Sequence, residues 1–414
     1  MEGMTMQEVW IIDAVRTPRG IGKAGSGGLS AIHPQHLFST LLQALRDRSG
    51  IETADVDDVI TGVNTQQGKQ GLNLARMAAL DAGYDRRVPG FSLDRFCGSG
   101  LTAMNLGAMG ILSGMQDLIV AGGVESMSHA RTLPREFMMD SGNMRLRKRI
   151  PQPHQGIAAD LIATLDGFSR EDLDALALLS QQRADMAIRE GRFARSLIPV
   201  HDEHGALALD HEEFPRPQTT AEGLAKLKPA FPDVFDRVID EEGNSYGSLL
   251  RLAYPDVEID YVHTAATSSG VVDGAAALLL ASPAYAKAHG LKPRARIRAM
   301  TTVGDDPTLM LNGPVPAARK ALAQAGMELG DIDLFEVNEA FAVVPAKFMR
   351  DLGIDRDRVN VNGGAMALGH PIGATGAILV GTLLDELERR DLSTGLITMC
   401  AAGGLAPAAI IERV

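Results

Sequence analysis

Residues 359–387, VNVNGGAMALGHPIGATGAILVGTLLDEL, hold the pattern that decides the fold. A short apolar run, Val359 to Val361, enters a glycine-rich turn, and a helix follows from about Thr375 to Leu387. Strand, glycine turn and helix in that order mark an α/β protein with a largely parallel sheet. The same junction stands earlier in the chain. Phe91 to Phe96 reads as a strand, the glycines around Cys97 as a turn, and Ser99 to Leu112 as a helix.

Working outward, Val9 to Ile12 predicts a buried strand. Leu37, Phe38, Leu41, Leu42 and Leu45 mark one face of a helix that stops before Gly50. A strand from Val59 ends near Val63-Asn64, and Asp117 to Ala121 runs into Gly122-Gly123. The C-terminal part repeats this scheme. A helix from about Pro316 stops at Gly326, and a strand Asp333 to Val337 ends in Asn338. Gly395 to Met399 then runs into Gly403-Gly404. The Val-Asn pairs ending at 64 and 338 lie 274 residues apart, and the Gly-Gly pairs 281. Cys97 displaced by 274 lands beside His370. Similar offsets at three features indicate two copies of one α/β unit.

A different segment, 125–262, separates them. It has Met-rich and basic stretches and a helix from about Arg170 to Glu190, with a capping box at Ser169 and Asp172. A Pro- and acid-rich tract, 199–262, follows. The expected division is 1–124 with 263–287 as the first half, 125–262 as an inserted loop domain that binds substrate, and 288–414 as the second half.

The chain has 414 residues, with 40 Lys plus Arg against 52 Asp plus Glu and a net charge of −12. That balance argues against nucleic-acid binding, which needs a basic face. Two cysteines make neither a disulfide framework nor a four-ligand zinc site, so no metal is expected. No apolar run approaches a spanning length. The opening Met1-Glu2 does not read as a secretory or transit signal, so the expected compartment is the cytoplasm.

Four residues could carry chemistry. Cys97 sits at a helix start, whose positive end favours a thiolate and hence a nucleophile; the plainer reading is a buried structural thiol. His370 lies in a tight glycine-rich backbone suited to proton transfer. The rival reading there, a phosphate-cradling loop, lacks the usual lysine. Cys400 and Asn338 end two other strands, although Asn338 taken alone reads better as a turn former. Strand ends of parallel sheets converge on a ligand crevice, so together the four form a plausible acyl-transfer constellation.

Four motifs in order make the chain resemble the coenzyme A-dependent thiolases over nearly all its length. They are Ala14-Val15-Arg16-Thr17-Pro18, Gly122-Gly123-Val124-Glu125-Ser126-Met127-Ser128, Asn338-Glu339-Ala340-Phe341 and Gly369-His370-Pro371. The resemblance implies the thiolase fold, two βαβαβαββ halves in a five-layered αβαβα core with a loop domain. It implies Cys97 as the acylated nucleophile and His370 as its base and as a donor to the second substrate's thioester oxygen. Asn338 would hold a water in that oxyanion hole. Cys400 would be the acid/base thiol at the α-carbon, and the backbone N–H groups of Cys97 and Ala402 a second oxyanion hole. CoA or acyl-CoA would be substrate, with no permanent cofactor.

For CoA, the resemblance points to a loop segment holding Arg216, near the nucleotide, Lys226, and Phe231, near pantetheine, and to Ser269 near the pantetheine amides. The run Arg145 to Arg149 reads either as a solvated loop or as a site for CoA phosphate, a partner subunit or an anionic surface. Some features depart from the common pattern. Gln155 stands where many members carry Met beside the acyl pocket, Ala266-Thr267 replaces Gly-Asn, and Cys400-Ala401-Ala402 replaces Cys-x-Gly. The stretch 232–262 is longer. Expected partners are a second copy or a tetramer, and a fatty-acid oxidation subunit. Rival functions are a decarboxylating ketosynthase-type enzyme and a non-catalytic lipid carrier or scaffold.

Overall fold

The computed structural model describes residues 8–134 and 139–414. The opening Met1-Glu2 lies outside them. Twelve strands occur among the described residues: β1 Trp10–Arg16, β2 Gly20–Ile21, β3 Asp58–Gly62, β4 Gly90–Leu93, β5 Leu118–Ser126, β6 Val200–His201, β7 Leu207–Leu209, β8 Val272–Ala281, β9 Ala295–Gly304, β10 Leu334–Val337, β11 Thr394–Thr398 and β12 Leu405–Arg413. The large sheet runs β10-β11-β12-β9-β1-β8-β5-β3-β4, with β2 beside β8; β6 and β7 form a separate ribbon. β3, β4 and β5 are mutually parallel, and so are β10 and β11. The β5–β8, β8–β1, β9–β12 and β11–β12 pairs are antiparallel.

The β1–β9 seam holds only two pairs, Trp10 with Arg296 and Ile11 with Ala295. The sheet is thus two half-sheets joined at a corner. Between them lie the helices Ser99–Leu112 and Thr375–Arg390. The first carries no charged residue, and the second none over its first ten residues. A helix apolar all round must be buried. One core cluster accordingly joins Leu101, Met104 and Ile111 to Ile378, Val380 and Leu384, with strand residues of both half-sheets. A second cluster covers the outer face of the first half-sheet with Pro34–Ser49 and Leu74–Asp81. A third covers the other half-sheet with Pro314–Ala325 and Val343–Leu352. Helix, sheet, helix, sheet, helix makes five layers.

Some elements differ from the sequence reading. β4 stops at Leu93, because Asp94 takes the Phe96 N–H (2.7 Å) and opens a turn. Val359–Val361 is a single bridge to Phe335, not a strand. The Asn360 side chain there bonds both N and O of Val337 (2.8 Å each), so an amide replaces ladder pairing. The two Gly-Gly pairs are not equivalent: Gly122-Gly123 lies inside β5, while Gly403-Gly404 is a left-handed turn between β11 and β12. The helix starts Ser99 and Thr375 carry the repeat better.

The basic run 145–149 forms the short helix Met144–Arg149. Its Arg147 turns inward, 3% exposed, and pairs with Asp140 and Asp240 (2.7 Å each). It is therefore neither a solvated charge nor a phosphate contact: it pins the turn 239–244 to the body. No helix among the described residues is long and apolar enough to cross a membrane.

Candidate active site

Cys97 stands in a strained turn. Phe96 has φ +50°, and the turn is closed by Gly98 N–H to Arg95 O (3.0 Å) and Ser99 Oγ to Phe96 O (2.6 Å). This presents the cysteine one residue before the helix cap, Gly98. His370 follows Gly369, whose φ of +93° suits glycine and where a Cβ would meet the Val272 side chain at 2.4 Å. The His370 N–H is held by Gly270 O at 2.8 Å. Asn338 follows β10 directly, and Cys400 lies just past β11.

The four side chains are buried: Cys97 7%, His370 5%, Asn338 1% and Cys400 1% exposed. Asn338 Nδ2 lies 3.4 Å from His370 Nε2. On its other side, His370 Nδ1 sits 2.5 Å from Thr375 Oγ1, whose hydroxyl donates to Pro371 O (2.9 Å). That hydroxyl's proton is committed, so it accepts from Nδ1–H. Nε2 is left as the basic nitrogen. The Ala402 N–H is directed at the Cys97 sulfur, and charge on Cys97 raises the cost of ionising Cys400. Cys97, Ala402 and Gln155 line one cavity of about 650 Å³.

Burial overturns one expectation. The helix start does not leave Cys97 a thiolate: desolvation pushes its pKa up to about 12, against the help of backbone N–H groups. Burial raises the Cys400 thiol as well and lowers His370 to about 4. Burial thus favours the neutral thiol at Cys97 and the neutral imidazole at His370. The buried Asn338 Oδ1 has no hydrogen-bond partner among the described residues.

Glu125 in β5 braces this arrangement. Its carboxylate accepts from Asn64 N (3.0 Å), Thr65 N (3.1 Å), Gln70 Nε2 (3.0 Å) and Gly373 N (2.9 Å). It ties the loop after β3 to the turn carrying His370. Close packing runs through the same point, since a Cβ on Gly123 would lie 1.9 Å from Gly373 O.

The sequence-assigned CoA residues lie apart from the cavity lining. Arg216 and Lys226 are exposed, and the Arg216 guanidinium stands over Phe214 at 5.7 Å. Phe231 packs between His154 (5.6 Å) and Phe341 (5.9 Å). Ser269 is half-buried, with its N–H on Ala340 O at 3.0 Å. Sequence reasoning missed Thr375, Arg237 and Tyr246. Thr375 lay inside the quoted glycine block, five residues after His370, where one helical turn brings a side chain back. Among the described residues no group of three His, Cys, Asp or Glu could hold a metal.

The fold carries two neighbouring buried thiols and, beside Asn338, a buried imidazole. The chain belongs to the thiolase family: residues 9–234 match the thiolase N-terminal domain and 291–413 the thiolase C-terminal domain. It is 42% identical to a steroid 3-ketoacyl-CoA thiolase of Mycobacterium tuberculosis, over 99% of this chain and 95% of that protein. It is 40% identical to a 3-ketoacyl-CoA thiolase of Cronobacter sakazakii, over 99% and 100%. A crystal structure of the Bacillus anthracis acetyl-CoA acetyltransferase superposes with TM-score 0.84 at 36% identity, covering 99% of each chain.

Proposed function

We propose that this chain cleaves 3-ketoacyl-CoA with CoA, and runs the reverse Claisen condensation, through an acyl group on Cys97. The observation that carries the reading is a buried thiol, Cys97, on the wall of a cavity, with a second buried thiol, Cys400, close enough for the Cys97 charge to act on it, in a chain that also buries a tautomer-fixed imidazole beside Asn338. His370 Nε2 takes the Cys97 proton as sulfur attacks the ketone carbon. The C2–C3 bond breaks, and its electron pair leaves as the enolate of acetyl-CoA. His370 Nε2–H and a water on Asn338 hold the enolate oxygen while Cys400 protonates its carbon. Free CoA then gives its thiol proton to Cys400 and attacks the acyl thioester, whose oxyanion meets the N–H groups of Cys97 and Ala402; the bond to Cys97 breaks, and the sulfur takes back its proton from His370. Neutral resting groups suit this scheme, because charge appears only as the bonds change. Arg216, Lys226, Phe231, Ser269 and Gln155 are proposed CoA and substrate contacts.

Incubation with acetoacetyl-CoA followed by mass spectrometry should find an acetyl group on Cys97. An active enzyme carrying its adduct elsewhere would refute the assignment. Dependence on malonyl thioesters would favour a ketosynthase, and absence of any CoA-dependent cleavage a carrier.

We also infer self-association. β4 ends the sheet with one side unpaired and Phe91 exposed. The helix that follows it exposes Leu106, Met109 and Leu112. An open strand edge beside apolar surface favours pairing with a second copy.

A further inference from the structure

The cavity at Cys97 is built partly by the long stretch 232–262, through Arg237, Ile239 and Tyr246. No carboxylate lines it among the described residues. The exposed Arg237 guanidinium forms no hydrogen bond or ion pair with a described residue, while its charge is felt at the half-buried Tyr246 phenol. The segment presenting these groups is held in place. Ile239 N–H bonds Asn244 O (2.8 Å), and Asp240 accepts from Asn244 N (2.9 Å) and Nδ2 (2.8 Å). Arg147 clamps the same Asp240, and a Ser245–Ser248 capping box starts the helix bearing Tyr246. Lys148 lies 3.1 Å from Glu242. Of the acids in this segment, Asp240 and Glu242 are thus matched by other cations.

We propose that the acyl groups taken by this site end in a carboxylate, which Arg237 binds with the Tyr246 hydroxyl beside it. This rests on the thiolase reading and adds the substrate class. An acyl group on Cys97 must lie in this cavity. A guanidinium there gives a carboxylate two parallel charge-assisted hydrogen bonds, and an uncharged chain end gives it none. CoA phosphate is the other anion available, but Arg216, which the resemblance puts near the nucleotide, does not line this cavity.

The test is thiolysis of 3-oxoadipyl-CoA against 3-oxohexanoyl-CoA, equal in carbon count but differing in the terminal carboxylate. The wild-type enzyme should favour the first in kcat/KM by roughly tenfold or more. Arg237→Gln should shrink that ratio by a similar factor, mainly through KM, and Arg237→Lys should restore part of it. Preference for the uncharged substrate would overturn the inference and leave the thiolase reading standing. Equal losses on both substrates with a raised KM for CoA would also overturn it, by moving Arg237 to phosphate. Cleavage of neither, nor of acetoacetyl-CoA, would overturn both readings.

Discussion

At the scale of single residues, burial acts alike on the proposed nucleophile Cys97 and on its proposed base His370. Burial raises Cys97 to about 12 and lowers His370 to about 4, and both shifts favour the uncharged form. Alkylation of Cys97 by iodoacetamide should therefore show no titration step between about pH 6 and 8. A sigmoid centred near 7 would mean a low-pKa thiolate after all. The sign for His370 follows from its depressed pKa. Falling pH leaves its neutral, proton-accepting form intact until about 4, so acylation rates should hold through pH 5. Stopped single-turnover acylation across pH checks this; an acid limb near 6.5 would contradict it. Cys400→Ser should slow carbon–carbon cleavage far more than acylation by acetyl-CoA. Equal loss in both half-reactions would remove Cys400 from the α-carbon.

At the scale of elements, the site depends on turns that the large sheet holds in register. Thr375, at the start of the central helix, fixes the His370 tautomer. Thr375→Val should cut kcat by roughly ten- to a hundredfold with little change in KM, and Thr375→Ser should recover most of it. A larger effect on KM would point to a packing role instead. Glu125 binds three backbone N–H groups that have few other acceptors nearby. Glu125→Ala should cost about 2–4 kcal/mol, read as a lower midpoint in urea unfolding. An unchanged midpoint would show that water replaces the carboxylate. These brace residues were hard to read in the sequence because their partners lie far away: Glu125 joins positions near 64 and near 373.

At the scale of the molecule, two half-sheets clasp one uncharged helix and the uncharged first ten residues of another, and leave the β4 edge open. Phe91→Glu should shift the protein toward monomer in sedimentation velocity, because a buried charge opposes the paired edge. An unchanged sedimentation coefficient would place self-association elsewhere. The repeat, the strand and helix order, and Cys97, His370, Cys400 and Asn338 as chemical candidates were legible in the chain. Local periodicity and glycine punctuation are short-range signals, and these features need nothing more. Some details were not legible. The strand read at 359–361 became a bridge because the Asn360 side chain supplied the bonds a neighbouring strand would have made.

The amino-acid order alone determined that this is an α/β protein of two like halves with a thiol and an imidazole at glycine-rich strand–helix junctions. Only the folded chain decided that burial raises both thiols, that Thr375 orients the imidazole, that Arg147 is a clamp and that Arg237 shares a cavity with Cys97. The reason is physical. Backbone preference acts over a few residues, whereas desolvation, ion pairing and cavity shape depend on groups that meet only when distant segments pack.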